Sequence, residues 1–403
     1  MDELNKIHIK EFIQLILEKV NTLSEKLTKR KRLMTAKEVL YFITVKNSNN
    51  YSYDQTNTLM QVDNIMTVCK QAIIKQRNKL SPYEIVSINK SLLNYIYPTN
   101  EPRELAVDGS YLTFTEQMKD TYRTKTNGPY TSGLLSSIYD IKKKIPINYS
   151  LYSKFDERQA LMDQINNGHV KKGDILVGDR GYPKKQLYAD LKNKGIDFIF
   201  RIKSDDRYAK LLKTHKSEGL IKVSIDRVFY VLKIVRYQLD DSLYYLCTSL
   251  INKDMHYIRE VYRRRWEIET DFRHLKHNLS MEYNWSHVDK FIHQDVAVNN
   301  FIQIVNGYME YLLRPKHIPI YKINRTNALT ITANRMLYTI FYEKELINIV
   351  DKVTNMLNII KNKVTKIKRN RKFRRKRKTP APGWINNHHN LKFKQSIELN
   401  EHG

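Results

Sequence analysis

Between residues 104 and 202 the chain reads as three strands, a helix, a strand, a helix and a strand. No other feature constrains its fold as much. Leu105–Leu112 and Gly133–Ile141 are strand-like, and Ile145–Ser153 alternates Ile, Tyr and Leu with polar residues. The stretch FDERQALMDQINN follows as a helix. Asp174–Gly178 (DILVG) is a nearly continuous apolar run, as in a strand buried on both faces. Pro183 suits the first turn of another helix reaching about Lys194, and Asp197–Ile202 gives a last strand. This succession predicts an α/β fold, a mixed sheet with helices on its faces.

The flanks differ. Phe12, Ile16, Leu23 and Leu27 recur at helical spacing. A polar interruption, KNSNNYSYDQTN, precedes a second helical stretch from about Leu59 to Lys79, and Ser81-Pro82 opens a third. Such a region is either a helical packing domain or a module that binds DNA ends. Lys203–Ile251 is mostly strand-like. Helical segments follow from about Met255 to His277 and from Val288 to Leu313. Lys361–Lys378 carries 12 Lys or Arg and no acid, a solvated tail or a phosphate clamp.

Charge narrows the function classes. Lys plus Arg number 70 against 42 Asp plus Glu, a formal net charge of +28. A folded chain so basic is suited to a polyanion, since each neutralised phosphate releases counterions. Two cysteines cannot make a disulfide framework or a four-thiolate zinc site. The start, MDELNKIHIKEF, does not read as a secretory signal, and no apolar run approaches the roughly 20 residues of a membrane span. The expectation is a cytoplasmic, nucleoid-associated protein with no membrane partner.

Three acids stand out by position. Asp108 lies in LAVDGSYL on a predicted strand, and Asp179 follows DILVG where the chain leaves a buried strand. Ligand sites gather at such strand ends in α/β sheets. Each Asp taken alone reads more simply as a turn or cap residue. A close pair of carboxylates must share a proton or hold a cation, and hard oxygen ligands suit Mg²⁺. The third element is VYRRRWEIETDFRHLKHNL, residues 261–279. On a helical projection with Tyr262 at zero, Arg265, Glu269 and Lys276 fall near 300°, 340° and 320°. Val261, Ile268, Phe272, Leu275 and Leu279 form a separate apolar stripe, and Glu260, Glu267 and Asp271 project away from both. Glu269 is therefore the acid placed to join Asp108 and Asp179. Tyr262 also reads as a half-buried packing residue. His274 and His277, at i, i+3 without a carboxylate or thiolate partner, do not make a zinc site.

Tyr262-x₂-Arg265-x₃-Glu269-x₆-Lys276 resembles, without gaps, the Tyr-Arg-Glu-Lys signature of bacterial DDE transposases of the insertion-sequence-four family. Asp108-Gly109-Ser110 is similar to that family's first catalytic block and Asp179-Arg180-Gly181-Tyr182 to its second. The likeness spans about residues 104–310. It implies a ribonuclease H-like catalytic core with a β-rich insertion, flanked by helical N-terminal and C-terminal regions. The division it implies is 1–100 for DNA-end binding, 101–202 for the first part of the core and 203–253 for the insertion. Residues 254–315 then complete the core, and 316–403 serve dimerisation and DNA contact. It further implies Asp108, Asp179 and Glu269 as catalytic residues holding two Mg²⁺ ions, with Mn²⁺ able to substitute. Tyr262, Arg265 and Lys276 would contact DNA. The activity implied is metal-dependent cleavage at transposon ends and strand transfer into target DNA, by a homodimer assembled on double-stranded DNA. The alternative is a catalytically silent, transposase-derived DNA-binding protein. Some relatives hold a flipped base with a Trp in the insertion; here Trp266, Trp285 and Trp384 all lie outside 203–251, leaving Tyr230 or Tyr237 as substitutes.

Overall fold

Five strands form the heart of the molecule in the order β4-β3-β1-β5-β6. They are β1 (Glu104–Phe114), β3 (Thr131–Asp140), β4 (Ile145–Tyr152), β5 (Ile175–Gly178) and β6 (Asp197–Ile202), with the two-residue β2 (Arg123–Thr124) beside β3. β3 runs antiparallel to both β1 and β4, whereas β1, β5 and β6 are mutually parallel. Parallel neighbours need crossovers, and α6 (Glu157–Asn166) and α7 (Lys185–Asn193) supply them. This is the ribonuclease H-like arrangement, in the element order expected from the sequence. Every residue of β3 and of β5 is buried, which accounts for their lack of apolar–polar alternation.

The computed structural model describes residues 3–27, 34–99, 101–124, 131–212, 216–239, 242–284, 286–314 and 321–366. Residues up to Thr365 form one compact unit, and all of the other unit except Lys366 falls outside the described residues. The basic run beyond Lys366, with Trp285 and Trp384, therefore lies outside them too.

The strand-like stretch after β6 folds as β7 (Glu218–Ile225), β8 (Val228–Leu239) and β9 (Ser242–Thr248), after a short helix α8 (Arg207–Leu211). It does not stand apart from the core sheet. β9 pairs antiparallel with β6, from Ile199↔Thr248 to Ile202↔Tyr245, and β8 and β7 continue outward.

In the N-terminal region, α1 (Glu3–Leu27), α2 (Ala36–Asn49), α3 (Tyr53–Val62), α4 (Lys70–Arg77) and α5 (Pro82–Ile96) revise two expectations. The polar stretch KNSNNYSYDQTN is a joint between helices. Asn50 ends α2 in the left-handed region at φ 54°, and Ser52 starts α3 with a capping box to Gln55. The predicted helix 59–79 is two helices, because the chain turns at Asp63 and Asn64 before α4 begins. α5 follows the forecast: Ser81 N–H donates to Glu84 at 2.9 Å, and Pro82 occupies the first turn.

α11 (Asp289–Leu313) is enclosed, packing against α5 and β4 and burying most of its residues, Asp295, Asn299 and Gln303 among them. Arg77 on α4 binds it from inside the fold, through Asp295 at 2.9 Å and Gln294 at 2.9 Å. The helices beyond are α12 (Arg325–Ile331), α13 (Leu337–Tyr342) and α14 (Leu346–Asn362). Among the described residues no helix is long and apolar enough to cross a membrane.

Candidate active site

Asp108 sits mid-way along β1, and Asp179 directly follows β5, the neighbouring parallel strand. Each carboxylate is fixed by a nearby amide. Gly109 N–H donates to Asp108 Oδ1 at 2.9 Å and Gly181 N–H to Asp179 Oδ1 at 2.7 Å. The third acid arrives from α9 (Met255–Arg264) and α10 (Glu267–Arg273). The expected single helix is interrupted at Arg265 and Trp266, but both keep right-handed helical angles, so the predicted face survives the joint. Arg265 then donates to Asp108 Oδ2 at 3.3 Å and to Glu269 Oε1 at 2.9 Å. One guanidinium thus joins the first strand to the signature helix.

Electrostatics mark the same place. Burial pushes Asp108 up to about 6, against the pull of Arg265, and the charges of Asp179 and Glu269 add to the rise. Glu157, at the start of α6, is pushed up to about 7 by burial and then by Asp108 and Asp179. Burial opposes the Arg265 cation, yet Tyr262, Asp108 and Glu269 together hold it above its ordinary value. Two carboxylates, Asp108 and Glu269, thus flank one buried cation, and Asp179 and Glu157 act on Asp108 from beyond it.

Tyr262 is buried at 5% exposure with the Arg265 guanidinium 5.9 Å from its ring centre, so it packs beneath the arginine. Lys276 lies in a π-helical turn, His274–Asn278, that follows α10. Its ammonium reaches the Tyr111 carbonyl at 2.9 Å and Glu282 at 3.0 Å. Tyr230 donates to Asn193 at 3.2 Å, on α7, whereas Tyr237 stacks on Tyr244 at 5.4 Å.

The acids thought to project away from the site do not share one fate. Glu260 pairs with Arg263 on the exposed side, and Glu267 pairs with Lys144 at 2.8 Å. Asp271 is fully buried, which corrects the projection. It accepts from the Tyr149 hydroxyl and from Arg325 at 3.3 Å. Arg325 also donates to Tyr139 at 2.7 Å and Gln303 at 3.1 Å, so β3, α10 and α11 meet on this α12 guanidinium, with Tyr149 of β4 joined through Asp271. This network braces the back of the helix that carries Glu269. Sequence reasoning missed it, and missed Glu157.

His274 lies in the π-helical turn after α10. Its Nδ1 lies 3.1 Å from Asn278 Oδ1, and burial, then Arg325, push it down to about 4 from 6.5. An unfolded histidine takes up its proton below pH 6.5, whereas this one stays neutral to about pH 4. Stability should therefore fall as pH drops through that window. Thermal melts between pH 7 and 4 should show a steeper acid loss for wild type than for His274→Gln. Equal slopes would remove His274 from the account.

Among the described residues no three acidic, histidine or cysteine side chains are disposed as a ready-made metal cage. The donor chemistry nevertheless suits a hard divalent cation, since Asp108, Asp179 and Glu269 offer carboxylate oxygens alone.

Residues 99–293 match the family model described as a transposase DDE domain. That match takes in Asp108, Asp179, Glu157, Tyr262, Arg265, Glu269 and Lys276. A similar solved structure is that of the piggyBac transposase synaptic complex with hairpin DNA, at 12% identity and a TM-score of 0.43, covering 94% of this chain and 91% of that one. No curated protein matches the sequence.

Proposed function

We propose that this chain is a DDE transposase of the insertion-sequence-four type. It would cut DNA at the ends of a mobile element and join them to target DNA. The observation that carries the reading is the meeting of Asp108 and Glu269, from distant segments, on the single guanidinium of Arg265. Asp179 stands at the adjacent strand end.

Asp108, Asp179 and Glu269 would hold the cations, Mg²⁺ or Mn²⁺. Two bound ions supply an activated water or 3′-hydroxyl and stabilise the leaving oxygen of an in-line displacement. The Gly109 and Gly181 amides pre-orient one oxygen of each aspartate, so little ordering remains at the moment of reaction. Arg265 keeps Glu269 facing Asp108 and offers a planar fork for a phosphate beside the scissile bond. Its Nε is buried with no hydrogen-bond partner among the described residues, a donor that a phosphate oxygen would satisfy. Tyr262 supports that fork from below. Lys276 adds positive charge near Tyr111 on β1. The net charge of +28 would supply most of the affinity for duplex DNA, through contacts to phosphate.

The test uses labelled duplexes carrying the sequences that flank the coding region, incubated with the full chain and Mg²⁺ or with a chelator. Metal-dependent nicking at the repeat boundary, followed by joining to a target plasmid, is the expected result. Tight end binding with no cleavage in Mg²⁺ or Mn²⁺ would overturn it in favour of a silent DNA-binding protein. A homodimer assembled on two ends belongs to the same proposal, and light scattering with and without end duplex reads it directly.

A further inference from the structure

We propose that Glu157 is a fourth carboxylate of the cation site, reaching Asp108 and Asp179 from the first turn of α6. The inference rests on the reading of that site as a divalent-cation centre.

The two acid motifs each carry a glycine, and both glycines make room for the same side chain. A methyl group built on Gly109 would lie 2.7 Å from Glu157 Oε1. One built on Gly181 would lie 3.2 Å from Glu157 Oε2 and 3.1 Å from Asp179 Oδ1. Only glycine at these positions lets the Glu157 carboxylate approach so closely. The approach is also held in place. Arg158 Nε donates to the Gly181 carbonyl at 2.8 Å, tying the loop after Asp179 to α6. Asp156 caps that helix through the amides of Arg158 and Gln159.

Among the described residues no hydrogen bond or ion pair engages the Glu157 carboxylate itself. This half-buried carboxylate is placed against the like charges of Asp108 and Asp179, with Arg158 the attractive neighbour, an arrangement that a bound cation relieves. Tyr182 provides an independent sign. Its hydroxyl is fully buried and without a hydrogen-bond partner among the described residues, and its charged neighbours are Glu157, Asp108 and Asp179 together with Arg265. A buried hydroxyl left in that position calls for a ligand, such as cation-bound water, on the inner side of the carboxylates. The outer side opens to solvent through a cleft lined by Phe155, Asp156, Glu157, Arg158 and Gly181.

Titration of the full chain with Mn²⁺, read by loss of the free-ion electron paramagnetic resonance signal, tests the assignment without any turnover. Glu157→Gln should weaken Mn²⁺ binding on the order of 10-fold or more. In metal-free buffer it should melt no lower than wild type, because a repelling charge has been removed. Asp108→Asn should also lose Mn²⁺ affinity, and Glu260→Gln, at the exposed pair with Arg263, should not. Wild-type affinity in Glu157→Gln alongside loss in Asp108→Asn overturns the proposal and leaves the cation-centre reading standing. Weakened binding with a lower metal-free melting temperature makes Glu157 a structural support and also overturns it. A wild-type chain that binds no Mn²⁺ overturns both readings.

Discussion

Asp108→Asn, Asp179→Asn and Glu269→Gln should each lower cleavage of a labelled DNA end by about 1,000-fold, equivalent to about 4 kcal/mol of transition-state stabilisation. The substitutions preserve size and remove one negative charge, so end binding should persist or tighten slightly. Affinity and chemistry draw on different groups: Lys and Arg for the first, carboxylates for the second. Gel-shift and cleavage assays on the same preparations separate them. Cleavage above a few per cent of wild type in all three variants would dissolve the assignment. Parallel loss of binding would mean the acids matter for folding instead.

The second large effect lies behind the site. Arg325→Met leaves Asp271 fully buried with only the Tyr149 hydroxyl opposite. Burial already pushes this carboxyl up to about 6, so without Arg325 it must take up a proton or stay charged and unpaired. Removing one partner of a buried pair costs up to about 3–5 kcal/mol. Denaturant unfolding should register that loss. The double variant Arg325→Met, Asp271→Leu should recover part of it, because no uncompensated charge remains. Equal stability of the single and double variants would show that the pair is not coupled.

The core sheet was legible because its strands announce themselves locally. β4 alternates, β5 is a short apolar run, and α6 between them begins at the Asp156 cap, whereas α7 starts at Lys185, two residues after Pro183 and with no side-chain cap. The signature helix was legible for a different reason. Angles on a projection survive a joint whose residues stay right-handed, as Arg265 and Trp266 do. What the projection lacked was the environment outside the helix. It gave Asp271 a direction but not the Tyr149 and Arg325 groups waiting there, which come from β4 and α12. The π-helical turn after Arg273 likewise escaped it, and Lys276 reaches back to β1 from there. Glu157 was hidden by its ordinariness. An acid in the first turn of a helix reads as a complement to the helix dipole. Only the spatial meeting of two glycines gives it another meaning.

The pairing of β9 with β6 has a practical consequence for anyone trimming this protein to a smaller catalytic fragment. Excising residues 203–253 would strip β6 of its hydrogen-bonded neighbour and leave Phe198–Ile202 as a bare rim. Apart from Arg201 that rim is apolar and buried at present, and it contains no proline to blunt it. Unsatisfied amides and carbonyls along it would template strand addition from another molecule, so the shortened fragment should gather into aggregates even with its acids intact. The outer strands are in that sense a cover for the core as well as an extension of it.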